Sequence, residues 1–298
     1  MQTGRQVLSR NFPNIAFIGA GRLASGLGTA FARRGLPVVA VSSRSPTSAQ
    51  KLAGRIPGVK VLDPQPAADA AELVFITVPD DAIAEVASGI RWKPGISVVH
   101  CSGATEVSAL AAAQSQGAAI GGFHPMHAFT DPDAAAASLP GCTITIEAPQ
   151  PLRETLEHIA AVLGCRPLQL PPGMRARYHA SGNYAAAFVN VMLREASQMW
   201  QSFGASEQDA VQALLPLLKG IVASIETQGL ADGMPGPISR GDVGTVRAHV
   251  TDLAQFDTAA LALYRELALR AIPLALERGS LDETRVEELR KVLLNKKP

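Results

Sequence analysis

A chain of 298 residues, 47% hydrophobic and 18% charged with a formal net charge of +1, is long enough for two domains and a sizeable core. That charge balance argues against nucleic acid as a partner, and residues 1–12, with Arg5 and Arg10, carry no apolar stretch of signal-peptide length. No later apolar run approaches the roughly 18 residues of a membrane span, so a cytoplasmic globular protein without a membrane partner is expected.

An arm over residues 1–13, expected to be flexible, leads into Asn14-Ile-Ala-Phe-Ile-Gly19-Ala-Gly21-Arg22-Leu23-Ala24. The apolar run from Ile15 to Ile18 is too short for a helix and rich in β-branched and aromatic residues, which is the signature of a buried parallel strand. Gly19 lets the chain turn sharply, and Gly21 removes the side chain that would keep a pyrophosphate from the backbone. Ala24 is small enough for close packing of helix on strand. The helical pattern then runs through Leu27, Ala30 and Phe31 to Arg34 and stops at Gly35, with its first amides facing the phosphates. A glycine triplet alone is also compatible with an ordinary tight turn. Flanked by strand and helix and followed by a second strand over 37–42, the segment Gly19, Gly21, Arg22, Leu23 and Ala24 is expected to bind a dinucleotide.

An NAD site usually places an acid about 20 residues past the first glycine, whereas an NADP site carries small polar and basic groups there. Here the second strand ends Val41-Ser42-Ser43-Arg44-Ser45, and the first acid of the chain is Asp63. Ser42, Ser43 and Arg44 are therefore expected to clamp the 2′-phosphate of NADP, a guanidinium matching that anion in shape and charge. For Arg33, Arg34, Arg55 and Lys60 a solvated basic surface is the simpler reading.

Helix 46–54, strand 59–62 and the apolar run Leu73-Val-Phe-Ile-Thr-Val78 continue the alternation, and Pro79-Asp80-Asp81 starts a helix at Ala82. Val78 and Pro79 thus fall at the carboxyl edge of the sheet, where ligands bind, while Asp80 or Asp81 can cap the helix. Strand 96–100 ends in Cys101-Ser102-Gly103-Ala104-Thr105. That turn either holds a substrate carboxylate through Ser102 and Gly103 or is a helix start capped by Thr105. Strand 118–123 leads to His124-Pro125-Met126-His127. With no third ligand evident, no metal is expected, and a loop is expected to carry His124 to the cleft. Cys101, Cys142 and Cys165 show no Cys-x-x-Cys spacing and read as small buried hydrophobes.

Strand 142–147, helix 152–163 and strand 166–170 precede Pro171-Pro172-Gly173, the best boundary in the chain. The expectation is an α/β class: a doubly wound domain over residues 14–171, then an all-α domain over 172–298 with helices near 174–203, 207–228, 244–277 (interrupted) and 281–294. In the first of these, Tyr184, Phe188, Met192, Ala196 and Trp200 form an apolar stripe. His179 and Asn183 lie four apart among small residues, either as helix-end groups or as part of a site. The stretch Gly233–Asp242 excludes helix or strand. It either connects or presents Arg240 to a carboxylate, with Asp242 pairing with Arg240 or capping a helix near Val243.

The ordered set Gly19-Ala-Gly21, Thr77-Val-Pro79-Asp80, Cys101-Ser102-Gly103, His124-Pro125-Met126, Tyr178-His179 and Gly236-Pro237-x-x-Arg240-Gly241-Asp242 resembles a known family. These are Rossmann-like proteins with a C-terminal helical domain of unknown function. They fall in the group of 6-phosphogluconate dehydrogenase-like, β-hydroxyacid dehydrogenase, ketopantoate reductase and pyrroline-5-carboxylate reductase enzymes. The resemblance covers nearly all of the chain from about Asn14; the glycine turn is generic and the Gly-Pro-x-x-Arg-Gly-Asp loop much more specific. It implies an NADP-binding Rossmann domain, a 6-phosphogluconate dehydrogenase-like helical domain that commonly forms homodimers, and a site in the cleft between them. Ketopantoate reductases and β-hydroxyacid dehydrogenases open the helical domain with a Lys-x-x-x-Asn pair whose lysine is general acid or base. His179-x-x-x-Asn183 stands in a similar place, with Asn190 as another candidate for the amide. The expected function is NADPH-dependent reduction of a small oxo acid, His179 donating the proton, Asn183 orienting the oxygen, and Ser102 and Arg240 holding the carboxylate. The alternatives are reduction of a cyclic imine of the pyrroline-5-carboxylate kind and a non-catalytic NADP-binding sensor.

Overall fold

A computed structural model describes residues 12–295, so the expected flexible arm lies outside the described residues apart from Phe12 and Pro13. The chain forms two compact units, one ending at Ala185 and the other beginning at Ala186. The first unit contains β1 (Ile15–Ile18), α1 (Arg22–Arg33), β2 (Val38–Ser42), α2 (Pro46–Ala53), β3 (Lys60–Val61), α3 (Pro64–Asp69), β4 (Leu73–Ile76) and α4 (Ile83–Ser88). It continues with β5 (Ser97–His100), α5 (Ala111–Gln114), β6 (Ala119–Pro125), α6 (Pro132–Ser138), β7 (Thr143–Glu147), α7 (Leu152–Val162), β8 (Arg166–Gln169) and α8 (Arg175–Ala185).

The strands make one sheet in the order β3-β2-β1-β4-β5-β6-β7-β8. All pairings are parallel except β6 with β7. Buried residues alternate between two faces, as side chains on a strand must. Phe17, Phe75 and Phe123 pack with Leu27 and Phe31 of α1 and Leu156 of α7, whereas Ile18, Val74 and Val98 pack with Ala67 of α3 and Ile83 of α4. Covering both faces is what lets β1, β4 and β5 be so uniformly apolar. The switch of strand order at β1 and β4 opens a crevice at their carboxyl ends.

Two helices of this unit were not expected. Both α3 and α6 begin with proline directly after aspartate, Asp63-Pro64 and Asp131-Pro132, a combination suited to a helix start. The alanine run 134–137 belongs to α6 and packs on α1, where a Cβ at Gly26 would lie 2.6 Å from Phe129 and 3.2 Å from Ala135. The helix expected near Glu106 is one 3-10 turn over Val107–Leu110 followed by the short α5.

The second unit consists of α9 (Ala187–Ser202), α10 (Glu207–Asp232), α11 (Val243–Phe256), α12 (Thr258–Glu277) and α13 (Glu283–Leu294). Ser206, Asp242, Asp257 and Asp282 cap the last four of these through their side chains. Val246, Val250, Leu261, Ile272 and Leu289 form their core. The helix expected over 174–203 is interrupted at Ala186, where φ −123° and ψ −87° are not helical, so the apolar stripe is cut between Tyr184 and Phe188. Neither glycine nor proline marks this break. α10 is kinked at Gly229 and leaves Leu217 61% and Leu230 65% exposed. Among the described residues it is the one helix long and apolar enough to cross a membrane, with mean hydropathy 1.3 over the relevant window, although Pro216 and Lys219 interrupt it. The helix meets that measure only as an average, and no unbroken apolar run of that length lies within it.

The Gly233–Asp242 stretch also departs from expectation, because a 3-10 turn runs over Ile238–Arg240. Ile238 and Ser239 are buried, and the Ser239 hydroxyl donates to the Gly236 carbonyl at 2.9 Å. Asp242 caps α11, accepting from the Thr245 amide at 3.0 Å and the Thr245 hydroxyl at 2.7 Å. Much of this loop is thus helical-core structure, with Arg240 left exposed.

Candidate active site

A cavity of about 310 Å³ opens at the carboxyl edge of β1, β2 and β4, and Gly19, Gly21, Val78 and Pro79 line it. Gly19 has φ +112°, and a Cβ there would lie 2.5 Å from the Thr77 carbonyl. Its amide donates to the Ser42 carbonyl at 2.8 Å, so the turn threads between two strand ends. A Cβ at Gly21 would meet nothing within 4 Å, and no side chain caps α1. The first amides of α1 are thus left without a side-chain cap next to the cavity, and uncapped amides at a helix start are the donor set an anion needs. Arg22 is exposed beside them, whereas Leu23 is half-buried against the core and Ala24 is buried in it.

Ser42, Ser43 and Arg44 form another wall of the cavity. Ser42 is buried, which leaves half-buried Ser43 and exposed Arg44 as the side chains in the opening. Ser45 and Ser48, not singled out from sequence, also line it, and Glu85 of α4 is the one acid that does among the described residues. Arg33 and Arg55 are committed elsewhere, meeting Asp133 at 2.7 and 2.6 Å. Their pull holds the Asp133 carboxyl below its usual range, Arg55 contributing most.

Further along the same edge, His124 lies on β6 itself, which runs on to Pro125, rather than on a loop. Its Nδ1 is 2.9 Å from the Tyr178 hydroxyl of α8, and its ring centroid is 6.0 Å from that of His179. A Cβ at Gly103 would lie 2.6 Å from His179 Cδ2 and 2.8 Å from His124 Nε2. Only glycine allows the β5 turn to approach both rings, so Gly103, His124 and His179 come together within the first unit. Burial lowers the His124 pKa to about 4, with His179 and Arg175 adding to the shift and Asp80 opposing it. At neutral pH this imidazole is uncharged.

The Ser102 hydroxyl is fully engaged. It donates to Asp80 at 2.7 Å and accepts from the amides of Ala104 at 3.2 Å and Thr105 at 2.9 Å. Asp80 thereby ties the Val78-Pro79 wall of the cavity to the Ser102-Gly103 turn instead of capping a helix, and Thr105 is not the cap either. Asn183 follows His179 by one turn of α8 and is half-buried. Arg240 and Asn190 belong to the second unit, where both are exposed.

Arg175, its partner Glu147 and His100 are not singled out by the sequence. Arg175 is fully buried, donating from Nε to Glu147 at 2.7 Å and from Nη1 to the Ser102 carbonyl at 2.9 Å. His100 is also fully buried, its Nδ1 accepting from the Ser102 amide at 3.2 Å, and burial, reinforced by Arg175, lowers its pKa to about 4. The readable signal was the Gly121-Gly122 pair inside a strand, which marks the close approach of another group.

Residues 6–125 match the model of a Rossmann-like domain, and residues 142–271 match that of a domain of unknown function, DUF2520. The second match begins just before β7 and takes in the last two strands. No curated protein matches the sequence. Among solved structures, the chain is similar to a protein from Bacteroides fragilis provisionally named an NADP oxidoreductase, with 24% identity, 88% of this chain and 99% of that chain covered, and a TM-score of 0.69. A reductive aminase from Aspergillus terreus, in complex with NADPH and ethyl-5-oxohexanoate, is similar at 17% identity over 94% of this chain and 92% of that one, TM-score 0.59. A pyrroline-5-carboxylate reductase from Coxiella burnetii is similar at 16% identity over 95% and 97%, TM-score 0.58. Identities this low establish a shared fold. The chain therefore combines a Rossmann-like domain with a DUF2520 domain, on a fold it shares with NADP oxidoreductases and pyrroline-5-carboxylate reductases.

Proposed function

We propose that this protein is an NADPH-dependent oxidoreductase that reduces a small carbonyl compound, with His179 as proton donor. The observation that carries this reading is the placement of two features on one sheet edge of one unit: the open glycine turn with Ser43 and Arg44, and the cluster of Gly103, His124 and His179. The uncapped amides of α1 fit a pyrophosphate, and Arg44 fits a 2′-phosphate. Bound NADPH would supply the hydride. The residues of the chain then have to orient the substrate and protonate the product. His179 is exposed beside His124, and Asn183 one turn on is the candidate to hold the substrate oxygen. Arg240 remains the candidate clamp if the substrate is an oxo acid.

Reduction of a cyclic imine is the second reading. The engaged Ser102 hydroxyl, together with Arg175 Nε and Nη1 bonded to Glu147 and the Ser102 carbonyl, favours an imine that carries no carboxylate, since none of these groups is free to hold one. The assay that tests both readings is oxidation of NADPH with a panel of small 2-oxo acids set against a panel of cyclic imines. Turnover of neither class would support the sensor alternative.

Cofactor choice can be tested without a substrate. Arg44→Ala is expected to weaken NADPH binding by about 1.5–3 kcal/mol and to leave NADH nearly unaffected, the range of a hydrogen bond to a charged group. Equal calorimetric affinities of the natural protein for NADPH and NADH would refute the assignment. The exposed Leu217, Val222, Ile225 and Leu230 of α10, together with the resemblance, support a homodimer formed through the helical unit. Light scattering at micromolar concentration should give twice the mass of the chain, and a monomer would rule the dimer out.

A further inference from the structure

Three strands present a row of partners at the carboxyl edge of the sheet. His100 of β5 pairs in register with Gly122 of β6, which pairs with Glu147 of β7. Residues directly opposite one another share a face of the sheet, so the missing side chain of Gly122 leaves a notch between an imidazole and a carboxylate. The guanidinium of Arg175 fills that notch, and a Cβ at Gly122 would overlap Nη2. Nε is bonded to Glu147 and Nη1 to the Ser102 carbonyl, while Nη2 is buried with no partner among the described residues.

Taking a guanidinium fully out of water costs several kcal/mol unless pairing and hydrogen bonds offset it, and here one of its donors has no partner. An apolar side chain would fill the same place at less cost, so stability alone is a poor reason for an arginine. Its position along α8 supplies a better one. Tyr178 and His179 follow Arg175 by three and four residues, so they lie on the same face one turn further on. Fixing the guanidinium in its notch fixes where that face meets the sheet edge.

We propose that Arg175 is a positioning residue of the site: lodged over Gly122 and joined to Glu147 and the Ser102 carbonyl, it holds α8 in the register that brings the Tyr178 hydroxyl onto His124 and the His179 ring against Gly103. The fork is essential, because a single ammonium cannot satisfy the Glu147 carboxylate and the Ser102 carbonyl in the same geometry. The groups facing His124 are Arg175, Tyr178 and His179 from α8, Asp80 from the turn after β4, and His100 from β5. The effect on turnover rests on the oxidoreductase reading above; the effect on His124 does not.

The test uses the full chain with Arg175→Met and Glu147→Gln combined, which removes both charges and leaves neither buried alone. Titration of His124 is followed by NMR of nitrogen-labelled histidine, alongside NADPH affinity and turnover. The expected result is unchanged NADPH affinity, a His124 midpoint that rises from about 4 toward 6.5, and turnover lower by on the order of 10²-fold, the cost of a small misplacement. An unmoved His124 midpoint in the folded double variant overturns the proposal, as does undiminished turnover. Arg175→Lys keeps the charge and loses the fork. It should show the same fall in turnover, and full turnover overturns the proposal even if the double variant does not fold. If the natural protein reduces nothing, the oxidoreductase reading falls, and the His124 midpoint of Arg175→Lys, which keeps the charge, decides the role of Arg175: a rise supports it and an unmoved midpoint overturns it.

Discussion

Replacing His179 with alanine is expected to lower turnover by about 10²–10⁴-fold, the usual contribution of a positioned general acid, and to leave NADPH affinity nearly unchanged. Affinity should survive because no residue of α8 lines the cavity at the glycine turn. Turnover should not, because reduction of a carbonyl leaves negative charge on oxygen, and a proton must arrive from a group already in place. His124 is the other imidazole within reach, but it is uncharged at neutral pH and bonded to Tyr178, so it is the poorer donor. Single-turnover reduction, under conditions where the chemical step limits, is the measurement. Full activity of the His179→Ala variant would make the histidine structural, shift the acid to His124 or Tyr178, and favour the imine reading. Arg240→Ala should act differently, weakening the binding of a carboxylate substrate more than it lowers turnover, as expected of a clamp remote from the reacting carbon.

How much of this was legible in the sequence depended on whether the signal was local. The strand, turn and helix at Ile15–Arg33 were readable because a buried parallel strand is continuously apolar and because Gly19 has a backbone conformation that disfavours other residues. The helix starts at Asp63-Pro64 and Asp131-Pro132 carry an equally local signal, an aspartate followed directly by proline. The break at Ala186 carried none, since an alanine within an apolar stripe gives no reason for a helix to stop. The site divided in the same way. Gly103, His124 and His179 were each conspicuous in their own segments, but the Ser102 to Asp80 bond and the Arg175 to Glu147 pair join residues 22 and 28 positions apart. Such pairings depend on the register of β4, β5, β6 and β7 and on where α8 meets the sheet, which tertiary packing rather than neighbouring residues decides.

Acid should destabilise the first unit well before its carboxylates titrate. His100 and His124 are held near 4 in the fold, against 6.5 for a free imidazole, burial being the first cause for both. Between those values the unfolded chain binds protons that the folded chain refuses. The stability from keeping each ring neutral is therefore complete above pH 6.5 and is lost as pH falls toward 4. A shift of that size corresponds to about 3 kcal/mol per imidazole over the whole window, and about 2 kcal/mol of it is already lost at pH 5. Each ring also feels Arg175, so the two contributions are not independent and their sum is an upper bound. Asp133, whose carboxyl is held below its usual value, loses its contribution only at lower pH, which leaves the interval from 7 to 5 to the imidazoles. Urea unfolding at pH 7 and pH 5 should show a loss of up to about 4 kcal/mol, and His100→Gln should abolish roughly half of that difference. Equal stability at the two pH values would mean that the folded protein protonates both rings as readily as the unfolded chain does. The cluster around Arg175 would then have to accept a positive charge beside the guanidinium, which burial and Arg175 itself oppose more strongly than Asp80 favours it.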